Sequence, residues 1–351
     1  MINLAIAACL LFSYTAVYIK PSFFLIPAFF GLAYPYIVFV NILFALFWLV
    51  FNAKYSLISI LAMLVGVNFL GSYFQVNGES TQKKCINICS YNVKYFAGEK
   101  TIPQRATLEN IIEFLNEGSF DIICLQEANI SGRGLTDMQQ VKSSLTNINY
   151  MQTARTSRTG GSVTFTKYPI VGTGEIRYEN SGNMILYTDL LIARDTIRIY
   201  NGHLQSYRIK AHEINSLDSL NLGNQKNYNE VKSVGSKLKQ AFVKRSEQAI
   251  KLRIHMDESP YPIIVCGDFN DTPVSYSYHK VKGGLKDAFV ESGQGIGNTY
   301  NGKLPSFRID YILHDRIFES FDFKVGKQTF SDHFPVICKL SITKGNKTEK
   351  R

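Results

Sequence analysis

Ile263-Ile264-Val265-Cys266-Gly267-Asp268-Phe269-Asn270-Asp271-Thr272-Pro273 is the stretch that decides the fold. It opens as an unbroken apolar run, the pattern of a buried strand. Gly267 breaks the run, and two carboxylates and an amide follow at once. Pro273 has no backbone N–H and stops the strand. A buried strand that presents Asp and Asn at its tip is how an open α/β sheet offers polar groups to a ligand. Alone, Asp-Phe-Asn-Asp reads equally well as a plain turn, because turns are rich in both residues. The surrounding chain separates the two readings.

Working outward, other runs end in the same way. Cys85-Ile86-Asn87-Ile88-Cys89-Ser90-Tyr91-Asn92 partly alternates in period two and ends on an amide. Residues 103–116 form an amphipathic helix with Leu108, Ile111, Ile112 and Leu115 on one stripe and Gly118 as its stop. A second buried strand, residues 121–127, carries Glu127 at its tip. Residues 162–166, 184–193 and 196–200 read as further strands, the last leading into Asn201-Gly202-His203-Leu204-Gln205. A Lys-rich amphipathic helix covers residues 231–254, with Leu238, Phe242 and Ile250 facing inward. Asp310 lies in the strand Arg308-Ile309-Asp310-Tyr311-Ile312-Leu313, and Ser331-Asp332-His333-Phe334-Pro335 is a loop entering the final strand.

Strand ends on one side of a sheet converge, so these polar residues can line one cleft. The set is rich in acids, with two histidines and no obvious nucleophilic Ser or Cys. Carboxylate and amide oxygens suit a hard cation such as Mg²⁺ or Mn²⁺, which also binds substrate phosphate. Zinc would recruit Cys or several His. A metal, a positioned water and a His acid/base are the parts for hydrolysing a phosphate ester. Each residue also has a bland reading. Asn92 alone could close a strand end, and His203 alone would be a satisfied core histidine. Glu127 at a buried tip, with no Lys or Arg beside it in sequence, is costly without a cation. His212, His255, His279 and His314 read as structural or surface groups, Arg245 and Gln248 as packing and surface, and Thr159-Gly160-Gly161 as a turn.

The ends of the chain have a different character. The 351 residues carry a net charge of +10, but the first 76 contain only Lys20 and Lys54 and no acid. Without those two, 36 basic groups face 28 acidic ones, so the remainder carries +8, a diffuse excess that attracts phosphodiesters or acidic headgroups. Apolar runs at about residues 2–19, 34–51 and 55–74 each approach the ~20 residues of a spanning helix. This predicts an integral, multi-pass membrane segment over residues 1–76 that contacts the lipid bilayer. A linker over 77–84 follows, then a soluble domain over 85–343 and a charged tail over 344–351. Lys20, Lys83 and Lys84 against Lys54 tilt the soluble domain weakly towards the cytoplasmic side. The six cysteines contain no CxxC pair and read as core thiols.

Ser90-Tyr91-Asn92, Leu125-Gln126-Glu127, Gly202-His203-Leu204-Gln205, Gly267-Asp268-Phe269-Asn270, Asp310-Tyr311 and Ser331-Asp332-His333 occur in that order. Together they resemble the endonuclease/exonuclease/phosphatase (DNase I-like) superfamily, over the whole soluble part. The resemblance implies a four-layer α/β sandwich: two central, mostly antiparallel sheets flanked by helices, here preceded by about three transmembrane helices. It implies a Mg²⁺-dependent phosphodiesterase, with Mn²⁺ as the other cation that fits. Glu127 would be the main metal ligand, helped by Asn92 and Asp332. Asp268 would activate water, Asn270 would hold a phosphate oxygen and His203 would stabilise the transferring phosphoryl group. His333 would be the second acid/base, its tautomer fixed by Asp310. Repair-type relatives carry an additional acid shortly after the first Asn; Lys94 stands near that place, which counts against abasic-site repair. The substrate expected is a nucleic acid, with a phospholipid or sphingomyelin headgroup as the alternative. A non-catalytic membrane-tethered binding module is the reading from another class.

Overall fold

The computed structural model describes residues 1–81, 83–98, 103–130, 137–155, 160–179, 181–209, 213, 225–302 and 307–343. The chain forms two compact units. The first joins Met1–Tyr73 to Gln205–Arg253 and Asn270–Gly283, and the second holds Phe74–Leu204, Ile254–Phe269 and Gly284–Arg351.

In the first unit the apolar chain folds into α1 (Ile2–Ser13), α2 (Ile26–Leu32), α3 (Tyr34–Phe51), α4 (Ala53–Val65) and α5 (Val67–Gly71). Of the three spans expected from sequence, only α3, with 18 residues, is long and apolar enough to cross a membrane. The first is cut short because the hydroxyls of Ser13 and Thr15 donate back to Leu10 O and Phe12 O, and Tyr14–Val17 tightens into a 3-10 turn. The third breaks at Gly66, where a Cβ would lie 2.1 Å from the Tyr14 ring, so the close approach of that ring requires glycine. Phe74–Val76, also inside the expected apolar segment, is instead a strand, β1.

The helices share a core of Ala7, Leu10, Tyr14, Val17, Tyr34, Val38 and Ala62 that also takes in Val274. Phe29 meets Phe242 edge-on at 5.3 Å, and Tyr18 meets His279 at 5.5 Å. Phe242 lies on the long helix Gln225–Asp257, and His279 on the helix Tyr276–Lys282. Arg245 is fully buried. Its Nε donates to Asp271 at 3.1 Å and its Nη1 to Gln205 O at 2.8 Å, while Gln248 accepts from Gln205 N at 2.8 Å. These two side chains therefore hold loops from buried positions, in keeping with packing and not with a surface role.

The second unit contains two six-stranded sheets. One runs β13 (Phe318–Val325), β14 (Val336–Ile342), β2 (Ile86–Asn92), β3 (Ile122–Asn129), β5 (Gly160–Thr166), β4 (Tyr150–Arg155). The other runs β10 (Lys286–Asp287), β12 (Asp310–His314), β9 (Ile263–Asp268), β8 (Asp195–His203), β7 (Met184–Ile192), β6 (Ile170–Arg177). Each sheet is antiparallel except for one parallel pair, β2 with β3 and β8 with β9. β1 pairs separately with β11 (Gln294–Ile296).

Ile88, Cys124 and Cys338 of the first sheet pack against Ile199, Cys266 and Ile312 of the second. The first sheet's other face packs Tyr91, Leu125 and Phe165 against Leu108 and Ile111 of α6 (Gln104–Glu117) and Val141 of α7 (Met138–Ser144). A buried polar tie joins the sheets: Gln126 donates to Asn201 Oδ1 at 2.9 Å, and Asn201 donates to Val163 O at 2.9 Å. Helices, sheet and sheet are thus three of the four expected layers, formed inside this unit. The long helix ends in this unit, where His255 Nδ1 lies 2.9 Å from the Tyr200 hydroxyl on β8. All six cysteines are free.

Candidate active site

The two parallel pairs set the site. In each, neighbouring strands finish together, so Asn92 sits beside Gln126 and His203 sits beside Asp268 in register. Antiparallel pairing then brings Asp310, the first residue of β12, opposite Asp268. Gly267 makes this possible: its φ is +145°, and a Cβ there would lie 2.0 Å from Gly202 O on β8. Glu127 is turned by a bulge. The β3–β5 register shifts between Leu125 and Ala128, and Glu127 takes a left-handed φ of +50°. Left-handed backbone at a residue with a side chain costs about 1–3 kcal/mol and persists where surrounding structure enforces it.

The side chains form a continuous chain of contacts. Asn92 Nδ2 donates to Asp268 Oδ2 at 3.0 Å and to Glu127 Oε1 at 3.4 Å. His203 Nε2 lies 3.3 Å from the same Glu127 oxygen and 3.6 Å from the same Asp268 oxygen. Asp268 Oδ2 also lies 3.7 Å from His333 Nε2, and His333 Nδ1 lies 3.0 Å from Asp310 Oδ2. Two carboxylates therefore face each other across Asn92 and His203, and a His–Asp dyad stands behind one of them. Asn183 donates to the backbone oxygens of His203 and Leu204 and pins the end of β8.

Burial and charge set the protonation states. Asp268 is buried, which raises its pKa; the neighbouring Asp310 charge adds to this, while His333 and His203 oppose it. Burial alone would lower the His333 pKa, but the Asp310 and Asp268 charges outweigh it and bring the pKa up to about 10. The two acids on either side thus favour the charged form of His333.

Asp332, expected beside Glu127 and Asn92, pairs with a lysine on the stretch that follows Asn92. Its Oδ2 accepts from Lys94 Nζ at 2.7 Å. Ser331, from the same loop, donates to Asn92 O at 2.8 Å. Asn270 is buried with a left-handed φ of +52° and belongs to the first unit. His279 and His314 take structural partners, as His255 does, and His212 lies outside the described residues. Sequence reasoning missed Tyr300. Its ring stands edge-on to His333 at 5.2 Å, its backbone bridges to the same residue, and burial followed by the charges of Asp332, Asp268 and Glu127 raises its pKa to about 12. Nothing in the local sequence marks it, since the contact comes from a loop 33 positions away along the chain.

The donor set fits a hard divalent cation. Carboxylate oxygens of Asp268 and Asp310 lie within 4.8 Å of one another and of a His333 ring nitrogen, and Glu127 adds carboxylate oxygens at the adjoining strand tip. His203 Nε2 is buried and makes no hydrogen bond among the described residues, so the site contains an orphaned polar atom aimed at these acids. Oxygen donors of this kind suit Mg²⁺ or Mn²⁺.

Residues 89–333 match the model of the Endonuclease/Exonuclease/phosphatase family, and residues 1–73 match a domain of unknown function. None of the curated proteins matches the chain. Solved structures share its fold. An endonuclease/exonuclease/phosphatase family protein from Bacteroides thetaiotaomicron aligns with a TM-score of 0.54 at 17% identity, over 78% of this chain and all of that one. A mannosyl-6-phosphatase from the same organism aligns at 0.51 and 18%, over 73% of this chain and all of that one. The human Nocturnin catalytic domain with bound sulfate aligns at 0.53 and 17%, over 74% and 95%.

Proposed function

Because the chain belongs to the endonuclease/exonuclease/phosphatase family, we propose that it is a Mg²⁺-dependent phosphodiesterase of the endonuclease/exonuclease type, anchored to a membrane through its N-terminal helices. The observation that carries the reading is the unbroken series Glu127, Asn92 with His203, Asp268, His333, Asp310. Glu127 and Asn92 would hold the metal, which supplies charge to the phosphate oxygens. Asp268 accepts a proton from the attacking water, and its raised proton affinity makes it a stronger base at neutral pH. His203 binds a phosphoryl oxygen, and one such aimed donor is worth about 3 kcal/mol. His333, already charged, protonates the departing ester oxygen, and Asp310 holds its ring with Nδ1–H turned away from the substrate. A water and a diester thus become an alcohol and a monoester.

The anchor is supported by α3, of which 22% is buried; Phe39, Leu43, Leu46, Phe47, Val50 and Phe51 are exposed. The same surface motivates the second reading, a lipid headgroup as substrate. The test offers the full chain, in detergent and in vesicles, a bis-aryl phosphodiester, plasmid DNA, RNA and sphingomyelin, with Mg²⁺ and with EDTA. Metal-dependent cleavage of nucleic acid that Asp268→Ala abolishes is the expected result. Cleavage of sphingomyelin alone would replace the first reading with the second. Substrate binding that survives Asp268→Ala, with no turnover by the wild type, would make the chain a binding module.

A further inference from the structure

Lys94 follows the site's first strand and occupies a backbone that few residues accept. Lys94, Tyr95 and Phe96 have φ of +43°, +57° and +58°, three left-handed residues in succession, none of them glycine. The surroundings enforce this turn. Lys94 N donates to Asn92 Oδ1 at 3.1 Å, so the amide that faces Glu127 and Asp268 also fixes the Lys94 backbone. Phe96 N donates to Val93 O at 2.8 Å, and the Phe96 ring is buried in the core beneath the first sheet. The strain delivers one result: the Lys94 ammonium lies against Asp332, on the loop that carries His333.

A part-exposed ion pair contributes little to stability and does not by itself account for three strained residues. The ammonium is also under-used. It has three donors, and among the described residues Asp332 is its hydrogen-bond partner. The Lys94 side chain keeps 45% of its exposure and that of Asp332 24%, so the pair stands open to solvent at the rim of the site. An anionic substrate must approach Glu127, Asp268, Asp310 and Asp332, and a fixed cation beside them offsets that repulsion.

We propose that Lys94 is a subsite for a second phosphate of the substrate, next to the ester that is cleaved. This rests on the phosphodiesterase reading and narrows it to substrates with neighbouring anionic phosphates, as along a nucleic-acid strand, over a zwitterionic headgroup. Asp332 holds the ammonium in place while the subsite is empty, and its two remaining donors receive the substrate.

The test uses the full chain and three thymidine dinucleotides: unphosphorylated, with a 5′-terminal phosphate, and with a 3′-terminal phosphate. The wild type is expected to favour one phosphorylated form over the bare dinucleotide by tenfold or more, carried by KM, the size of one charge-assisted hydrogen bond. Lys94→Met removes that preference and Lys94→Arg keeps most of it. Calorimetric binding of the phosphorylated form to EDTA-treated protein gives a readout independent of turnover: Lys94→Met is expected to lose it tenfold, with an unchanged thermal transition. Equal KM for all three substrates in the wild type, or a preference that survives Lys94→Met, overturns the proposal. Better cleavage of sphingomyelin than of any dinucleotide overturns it too. Bis-aryl phosphodiester hydrolysis by the wild type separates the two ideas. Its absence sinks the phosphodiesterase reading, and the binding comparison still decides on Lys94.

Discussion

Two acids in one sheet, brought together by β12 and its flanks, are treated in opposite ways. Asp287 on β10 takes both its oxygens to the Arg308 guanidinium, and neither side chain is exposed. Two residues after Arg308, Asp310 faces His333. Arginine does not release its proton in a protein, so the first pair stays charged and silent. The rings of Phe289 and Tyr311 flank that guanidinium at 4.5 and 4.7 Å and complete its burial. Histidine can give its proton up, and the second pair stands at a strand tip beside Asp268. The fold uses arginine where a buried acid has only to be neutralised, and histidine where a proton can move.

The largest effect that would sharpen this contrast belongs to Asp268. Asp268→Ala is expected to lower kcat on a bis-aryl phosphodiester by about 10³-fold or more, on the order of 4 kcal/mol. Its thermal transition should remain, because removing a desolvated carboxylate relieves a burial cost. Loss of the transition in this variant would make Asp268 a structural acid like Asp287. Arg308→Met reverses the pattern. Leaving Asp287 charged without its guanidinium should cost about 3–5 kcal/mol in denaturant unfolding. The double change Arg308→Met with Asp287→Leu should recover most of that loss. A selective loss of turnover in Arg308→Met, with stability intact, would break the division between the two pairs.

The sequence made one side of this contrast legible and hid the other. Asp268 stands out because an unbroken apolar run leads into a short polar tip, and His333 because it lies in a polar loop entering the final strand; Asp310 reads as lying within its strand and is placed behind His333 by the family resemblance. Glu127 stands out for the same reason as Asp268, although the bulge that turns it left no sign in its neighbours. Arg308 drew no notice: its partner Asp287 lies 21 positions away, and nothing local tells a buried Arg from an exposed one. Motif position groups Asp332 with Glu127 and Asn92 but gives no sign of its contact with Lys94, which depends on three left-handed residues. At the N-terminus composition alone overcounted the spans. Apolar content does not show where a Ser or Thr hydroxyl bonds back to the helix or where a ring demands glycine.

A smaller effect concerns the dyad itself. Asp310→Asn removes the charge that does most to raise the His333 pKa to about 10. The imidazolium would then lose its proton at a lower pH. The high-pH limb of the rate profile should move down, with kcat near pH 9 reduced roughly tenfold to a hundredfold. An unmoved limb would mean that the His333 proton takes no part in the rate.

The smallest effect tests whether histidine beside an acid is enough to make a site. His314, at the other end of β12, is fully buried with its Nε2 3.1 Å from Glu291. Burial would raise the Glu291 pKa, but its bonds to His314, Lys286 and Ser320 outweigh this and lower it to about 2. A depressed carboxylate contributes stability above its unfolded pKa near 4.5, and that contribution is lost as pH falls towards 2. Glu291→Gln should therefore cost about 1–2 kcal/mol at pH 7, allowing for solvent at its part-exposed rim. Against pH, its thermal stability should fall less than the wild type's between 4.5 and 2. Turnover should be unchanged, because this histidine sits at the end of β12 away from Asp310 and Asp268. A shift in the rate profile of Glu291→Gln would show that the second His–acid pair is coupled to the chemistry and that position along the strand does not separate the two.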